Sequence, residues 1–491
     1  MKKDSSLIVT DSEIYSNSSA KRDALYKKFH SRIIHNLDLD RTIVSFQANK
    51  KTQFSSWFKY REGFSDSLVK YLIQNLKPQS GVLLDPFSGV GSSLFSASDL
   101  GWQTIGIELL PVGIFATRAR MMADKNYVEK LNAFAYNLKS LKFSDYYDPT
   151  YDFKHLAITR GAFPQEQEKQ LVGYISYCHR HIVDDNLREL LLYAAFCILE
   201  EISYTRKDGQ YLRWDSRSGR SRSKKQFNKG EILTFKDAIN KKLNQIIADL
   251  SNPDVIQLEL FNNNYEPAKN TISNIHLHQG SCLEVLPIVK ENSIDFVITS
   301  PPYANRYDYT RTYALELAFL GCKEEEVKFL RQAMLSCTVE NWDKRDLLKK
   351  HYLDIERYED FLKIDSIFNQ QEALNEVLKI LEKYKQEDKL NNVNIVRMMH
   401  NYFYEMCFVI YELARILKVG GIIAMVNDNV QYAGEEVPVD LILSNIAEAF
   451  GLTTRHIWTL GRGKGNSSQQ MGHHGRSELR KCIYVWEKKV L

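Results

Sequence analysis

The stretch Gly81–Leu109, "GVLLDPFSGVGSSLFSASDLGWQTIGIEL", decides how this chain is read. Val82, Leu83 and Leu84 form a short apolar run ending at Asp85, which predicts a buried strand. Gly89 and Gly91 supply a tight turn, and a helix is expected from about Ser92. A second strand follows and ends at Glu108. Strand, turn, helix and strand in that order begin a parallel α/β sheet, in which ligands bind beyond the C-terminal strand ends. Two readings of the glycine turn stand. It is either a structural corner or a place where backbone approaches a ligand. Glu108, about twenty residues after the turn begins, favours the second, because a carboxylate there can bind a pair of ribose hydroxyls.

The rest of the chain extends the pattern. "NIHLHQGSCLEVL" and "SIDFVITSPPY" supply two further strand candidates. "YEMCFVIYELARILKVGGIIAMVND" reads as a helix, a break at Gly420-Gly421 and a strand. "TTRHIWTLGR" and "KCIYVWEKK" read as two closing strands joined by a Gly/Ser/Gln/His loop. Helical periodicity fills most of 112–270 and 312–395, and residues 1–40 form a polar, partly helical arm. The expected fold class is therefore α/β, a mostly parallel sheet with two mainly helical insertions. At 491 residues the chain exceeds one compact core. Hydrophobic residues make up 44% and charged residues 26%, with no apolar run of membrane-spanning length. No apolar segment follows Lys2-Lys3, so no signal peptide is expected. The seven cysteines are scattered without a CxxC pair, which argues against a zinc site or disulfide framework and for a reducing cytoplasm. The net charge of +4 is too small to name a partner, so the distribution of charge matters more.

Ser300-Pro301-Pro302-Tyr303 ends the fourth core strand candidate. Two prolines make a stiff turn and fix the directions of the Ser300 hydroxyl, the Pro301 carbonyl and the Tyr303 ring. A bland alternative is a proline-kinked strand end. The chemical alternative is a site for an exocyclic amine of a nucleobase. Two acceptors would take its two N–H bonds and aim its lone pair at an electrophile, while Tyr303 stacks on the base. Asn305, Arg306, Tyr307 and Asp308 then either line a base pocket or begin a capped helix.

Asp85-Pro86-Phe87-Ser88-Gly89-Val90-Gly91 followed by Thr299–Tyr303 resembles the S-adenosylmethionine-dependent amino DNA methyltransferases. Segments 45–65, 81–109, 276–310, 411–429 and 461–488 carry the likeness, as does "MLSCTVEN". The resemblance implies a Rossmann-like class I methyltransferase sheet. It implies S-adenosylmethionine on Asp85, Pro86, Phe87, Ser88, Gly89, Gly91 and Glu108, and a target base on Ser300, Pro301, Pro302 and Tyr303. The serine form of the second motif is most associated with the N4 amine of cytosine. Adenine N6 methylation is the alternative, and a structured RNA substrate a further one. Two departures stand out. The cofactor motif precedes the catalytic motif, so the order is unpermuted. Where the family often carries an acidic residue for the adenine amine of the cofactor, this chain has Gly280-Ser281-Cys282. Ser281 and Cys282 are the cofactor candidates there. "WFKYREGFSDSLVKYLI" resembles the family's helix that closes over the cofactor, and equally suits a packing helix.

The organisation this implies is an arm at 1–41, a cofactor-binding half of the core at 42–111, and a helical insertion at 112–270. A catalytic segment at 271–311, a second helical insertion at 312–395 and the rest of the core at 396–491 follow. The insertion at 112–270 is the candidate DNA-recognition region, because residues 203–230 hold nine Lys and Arg against Asp208 and Asp215, with Tyr204, Tyr211 and Trp214 interleaved. Arg206, Lys207, Arg213, Arg217, Arg220, Arg222, Lys224 and Lys225 are the candidate DNA contacts, and a solvated loop is the other reading. His473, His474 and Arg476 read as a mobile or DNA-facing loop, since no carboxylate or cysteine stands at metal-ligand spacing. Double-stranded DNA is the expected partner, with a separately acting restriction endonuclease as a candidate companion. Neither a metal nor a membrane is expected.

Overall fold

The computed structural model describes residues 20–40, 42–208, 211–220, 226–252, 274–460 and 479–489. In chain order the strands are β1 (Ile33–His35), β2 (Val82–Asp85), β3 (Gln103–Glu108), β4 (Thr205–Asp208), β5 (Tyr211–Trp214) and β6 (Ile275–Gln279). They continue with β7 (Ile294–Thr299), β8 (Leu417–Asp428), β9 (Val430–Tyr432), β10 (Glu435–Val437), β11 (Leu452–Thr459) and β12 (Lys481–Lys488). Among the described residues, eight of them make one sheet in the order β1-β11-β12-β8-β7-β2-β3-β6. Neighbours pair in parallel throughout, except that β12 runs antiparallel to β8 and β11 on either side of it. The protein is thus α/β with a mostly parallel central sheet, compatible with a Rossmann-like methyltransferase.

The apolar strand runs are explained by cover on both faces. Along a strand, side chains alternate between faces. Leu83, Phe296, Ile298, Ala424 and Ile483 pack with Leu68, Val69 and Leu72 of helix Asp66–Leu76. Leu84, Val297, Ile423, Met425 and Tyr484 pack on the other face, with helix Ile395–Ile416 and helix Val439–Ala449. Each fully buried aliphatic or phenylalanine side chain contributes about 1.5–3 kcal/mol. Helix Asp66–Leu76 starts where Ser65 Oγ accepts from the Leu68 N–H at 3.1 Å, an N-cap that fixes its first turn.

Helices between Pro111 and Ser251 build a separate core, into which Trp57 and Phe58 from the segment before helix Asp66–Leu76 insert. A second run of helices separates β7 from β8. Three features depart from the sequence expectation. β1 adds a short parallel edge to β11, β9 and β10 form a hairpin after β8, and β4 and β5 form a hairpin inside the basic segment. The Asp208-Gly209 dipeptide was a readable hairpin signal.

The sheet order decides where a ligand can sit. From β2 the chain moves outward to β3 and β6, then returns to the other side of β2 as β7. A crevice opens beyond the C-terminal strand ends where that reversal occurs. The Asp85–Gly91 turn and Ser300 leave the sheet at this point.

Candidate active site

Asp85 organises the first turn. Its Oδ1 accepts from the Phe87 N–H at 3.0 Å and from Thr299 Oγ1 at 2.8 Å, and its Oδ2 accepts from Ser93 Oγ at 2.5 Å. It therefore ties the end of β2 to the end of β7, one residue before Ser300. Burial pushes its carboxyl up to about 6, against the three donors that lower it. Gly89 and Gly91 sit at φ +54° and +77°. A Cβ at Gly89 would lie 2.9 Å from a ring carbon of Tyr60. On the other side, a Cβ at Gly113 would come within 2.4 Å of the Gly89 carbonyl oxygen. The turn is held between Tyr60 and helix Pro111–Met121 with no room for side chains.

Glu108 faces the same turn. Its Oε2 accepts from the Gly89 N–H at 2.8 Å and its Oε1 from the Leu110 N–H at 2.7 Å. Burial nevertheless pushes it up to about 7. A carboxylate has about four acceptor sites, so acceptor capacity remains for a ligand. Glu108 borders a cavity, open to solvent, that runs from Tyr60 and Phe64 to Ser300 and Pro302. Pro86, Phe87, Ser88, Gly89, Ser281 and Cys282 line it, whereas Gly91 does not. Ser281 Oγ donates to the Ala333 carbonyl at 3.1 Å. Burial pushes the Cys282 thiol well up, so it stays protonated.

Ser300 Oγ donates to the Tyr303 hydroxyl at 3.2 Å. Its single proton is thereby used, and only lone pairs remain for a ligand. Tyr303 is half-buried and lies outside the cavity wall. Several residues hold the loop beyond it. The Tyr432 hydroxyl, on the β9–β10 hairpin, donates to the Ala304 carbonyl at 2.5 Å. Arg306, at φ +66°, donates its N–H to the Cys337 carbonyl at 2.9 Å. A non-glycine residue there costs about 1–3 kcal/mol, and such strain persists where the surroundings enforce it. Asn305 Oδ1 accepts from the Tyr307 N–H at 3.1 Å. Asp308 caps helix Tyr309–Thr312 through the Arg311 N–H and pairs with Arg331 at 3.0 Å. The capped-helix reading of this stretch is therefore the one observed at Asp308.

Residues that sequence reading did not single out complete the cavity. Glu62 lines it, and its two oxygens accept from the Tyr307 and Tyr313 hydroxyls. This joins the segment before helix Asp66–Leu76 to the loop after Tyr303. Met334 and Leu335, within "MLSCTVEN", form another wall. That segment is anchored on buried Glu405, which accepts from the Ser336 N–H at 2.8 Å and pairs with Lys344 at 2.8 Å. A lone glutamate inside "YFYEMCFVI" was the available signal.

Within the described part of the basic segment, two of the lysines turn inward and the arginines hold partners near the surface. Lys207 is 3% exposed, paired with buried Glu316, and its ammonium stands 4.9 Å from the Phe58 ring centre and 4.6 Å from that of Tyr313. It does not reach solvent. Arg213 pairs with Asp208 at 2.9 Å and lies over Phe227 at 4.0 Å. Arg217 forks onto Asp215 at 2.8 and 2.9 Å and holds that carboxyl far below its usual range. Arg220 stacks on Trp214 at 4.4 Å and donates to the Arg160 carbonyl at 2.6 Å. Lys229 donates to the carbonyls of Glu200, Ser203 and Thr205 at 2.5, 2.6 and 3.0 Å, and burial pushes it down to about 8. Arg206 is exposed. Arg222, Lys224, Lys225, His473, His474 and Arg476 lie outside the described residues. Within those described, no helix is long and apolar enough to cross a membrane.

No family model matches the chain. It is 44% identical over 467 residues to the Type II methyltransferase M.AvaI of Nostoc sp. and of Anabaena variabilis, covering 95% of this chain and 92% of theirs. It is 40% identical over 489 residues to the Type II methyltransferase M.BsoBI of Geobacillus stearothermophilus, covering 94% of this chain and 91% of the relative. Likeness of this extent spans the sheet, the cavity and both helical stretches, and the chain belongs to the Type II DNA methyltransferases of restriction-modification systems.

Proposed function

We propose that the protein transfers the methyl group of S-adenosylmethionine to the N4 amine of a cytosine flipped out of a specific duplex site. The observation that carries this reading is the hydrogen bond from Ser300 Oγ to Tyr303. It leaves Ser300 as a pure acceptor at the end of the cavity that starts at Glu108. The reversed β12 beside β8 in an otherwise parallel sheet supports a class I methyltransferase core. Bound S-adenosylmethionine supplies a methyl group already activated by its sulfonium sulfur. The chain supplies position. The turn at Phe87–Gly89 and the ribose acceptor Glu108 would hold the cofactor, with Ser281 near its adenine. Ser300 and the Pro301 carbonyl accept the two amine N–H bonds and turn the nitrogen lone pair toward the cavity. Pro302 keeps the loop stiff, and Tyr303 stacks on the base. The nitrogen–carbon bond would form as the carbon–sulfur bond breaks, and the alkylated, now acidic nitrogen would give its proton to water in the open cavity, so no strong base is required. In-line positioning of this kind contributes up to about 7–11 kcal/mol. Arg206 and the outer faces of Arg213, Arg217 and Arg220 remain candidates for phosphate contacts. The corresponding role is protection of cytoplasmic DNA from a separately acting endonuclease.

Methylation of plasmid DNA by the purified protein, followed by single-molecule sequencing, tests the reading. N4-methylcytosine at one sequence context is expected. N6-methyladenine would overturn the cytosine assignment, and transfer to structured RNA with none to DNA would overturn the substrate.

The ribose assignment gives a pH signature. Glu108 is held near 7 in the free protein. Its protonated form is then favoured in the fold, so stability declines as pH rises from the ordinary carboxylate range to about 7. Ribose hydroxyls donate to the ionised form, so cofactor affinity is expected to rise about twentyfold from pH 5.5 to 7.5 and then level off. Glu108→Gln should flatten that profile. Glu108→Ala should weaken binding by about 1–3 kcal/mol at pH 8. Calorimetry reads both, and unchanged affinity in a folded Glu108→Ala variant removes Glu108 from the ribose.

A further inference from the structure

We infer that duplex DNA is gripped by the cleft between helices Glu372–Gln386 and Ile395–Ile416, in the second helical stretch, in preference to the basic hairpin segment around β4 and β5. The inference rests on DNA being the substrate and names the surface that receives it. The cleft is open to solvent along its length. Lys379, Lys385 and Arg397 line it against one carboxylate, Glu382, which half-exposed Lys385 meets at 3.1 Å, together with Asn375, Asn394 and His400. Surplus positive charge suits phosphates. Amide and guanidinium groups suit base edges, where they can donate and, for asparagine, also accept.

Its place in the fold is the second ground. Helix Ile395–Ile416 has 22 residues and leads directly into β8. Asn427, next to the last residue of β8, donates its side-chain amide to the Tyr402 hydroxyl at 2.9 Å, which sets Tyr402 at the end of that strand and the helix turns before it beyond the sheet. The N-terminal end of the helix therefore projects past the C-terminal edge of the parallel strands, the edge that carries Ser300. Helix Glu372–Gln386 precedes it through a short connection and packs on it, so its C-terminal end, with Lys385, comes to the same edge.

Two bonds tie this cleft to the candidate base site. Arg306, in the loop three residues after Tyr303, donates to Asn391 Oδ1 at 3.0 Å, and Asn391 lies in the connection between the two helices. Arg397 donates to the Val339 carbonyl at 3.0 Å, in the strip that begins at the cavity residues Met334 and Leu335. A duplex in the cleft would thus lie against parts already attached to both sides of the base loop. Val393, 57% exposed, lines the cleft as well. In the hairpin segment Lys207 and Lys229 are turned inward, onto Glu316 and onto backbone carbonyls, and Arg213, Arg217 and Arg220 keep only their outer faces for phosphates.

The test compares variants of the full chain on a fluorescent duplex carrying the mapped methylation site, by anisotropy across a range of salt. Lys379→Ala with Lys385→Ala is expected to weaken binding at least tenfold. It should also lower the log–log salt slope by about 2, since each lost phosphate contact removes about 0.9. Arg397→Ala is expected to narrow the preference for the methylation site over an unrelated duplex. S-adenosylmethionine affinity by calorimetry and the melting temperature should stay at wild-type values in both cleft variants. Arg206→Ala with Arg213→Ala is expected to change the slope by less than half as much. Wild-type affinity and slope in the cleft variants, with the loss appearing in the hairpin variant, overturns the cleft. A wild-type protein that neither binds nor methylates any duplex overturns the substrate, an outcome distinct from the first.

Discussion

Glu316→Ala is expected to lower the folding stability by about 3–5 kcal/mol, because it strands the Lys207 ammonium in the interior without a counter-charge. The two side chains are 3% and 1% exposed. Burial raises the Glu316 carboxyl and Lys207 lowers it again, the mutual dependence of a desolvated pair. The aromatic faces of Phe58 and Tyr313 add cation–π attraction to Lys207 and no compensating negative charge. Replacing both partners, Lys207→Met with Glu316→Leu, removes both charges and is expected to be close to neutral. Denaturant titration with comparison of slopes reads the effect. A loss below about 1 kcal/mol in Glu316→Ala would mean that water reaches the pair. The pair also joins β4 to helix Ala314–Phe319 and, through Phe58, to the segment that carries the cavity residues Tyr60 and Glu62. Glu316→Ala is therefore expected to weaken cofactor binding as well, while the double replacement restores it.

Under the proposed mechanism, Ser300→Ala and Tyr303→Ala are each expected to slow methyl transfer about a hundredfold with cofactor affinity unchanged. The magnitude follows from removing a preorganised polar contact to the reacting group, typically about 10²–10³ in rate, or base stacking worth about 1–3 kcal/mol. Tyr303 does not line the cavity, which is why cofactor affinity is spared. Tyr303→Phe separates its two roles. The ring remains, and the hydroxyl that receives the Ser300 proton is lost. Its rate should fall between those of wild type and Tyr303→Ala. Single-turnover kinetics on the protein's own site measures the step directly. A Ser300→Ala, Tyr303→Ala double variant with wild-type transfer rates would refute the assignment of the amine to this loop.

The central strands were readable in the sequence because parallel strands covered on both faces appear as unbroken apolar runs. "VLL" before Asp85 and "DFVIT" before Ser300 are such runs, and both end in the crevice of the sheet. The short parallel edge β1 was not readable, since three residues carry no period. The turn at Asp85–Gly91 and the loop at Ser300–Tyr303 were visible as local chemistry, because glycine and proline act on their own backbone. What those groups touch was not visible. Asp85 finds Thr299 at a separation of 214 positions, and Glu62 finds Tyr307 and Tyr313 at 245 and 251. Local sequence reports which side chains carry charge or hydroxyls. It does not report which of them will lose water. Lys207 stands in a run of solvated-looking cations and is buried, because Glu316 lies more than a hundred positions away. Only the tertiary structure could decide that, since a charge enters the interior when a partner brought by the fold offsets its desolvation.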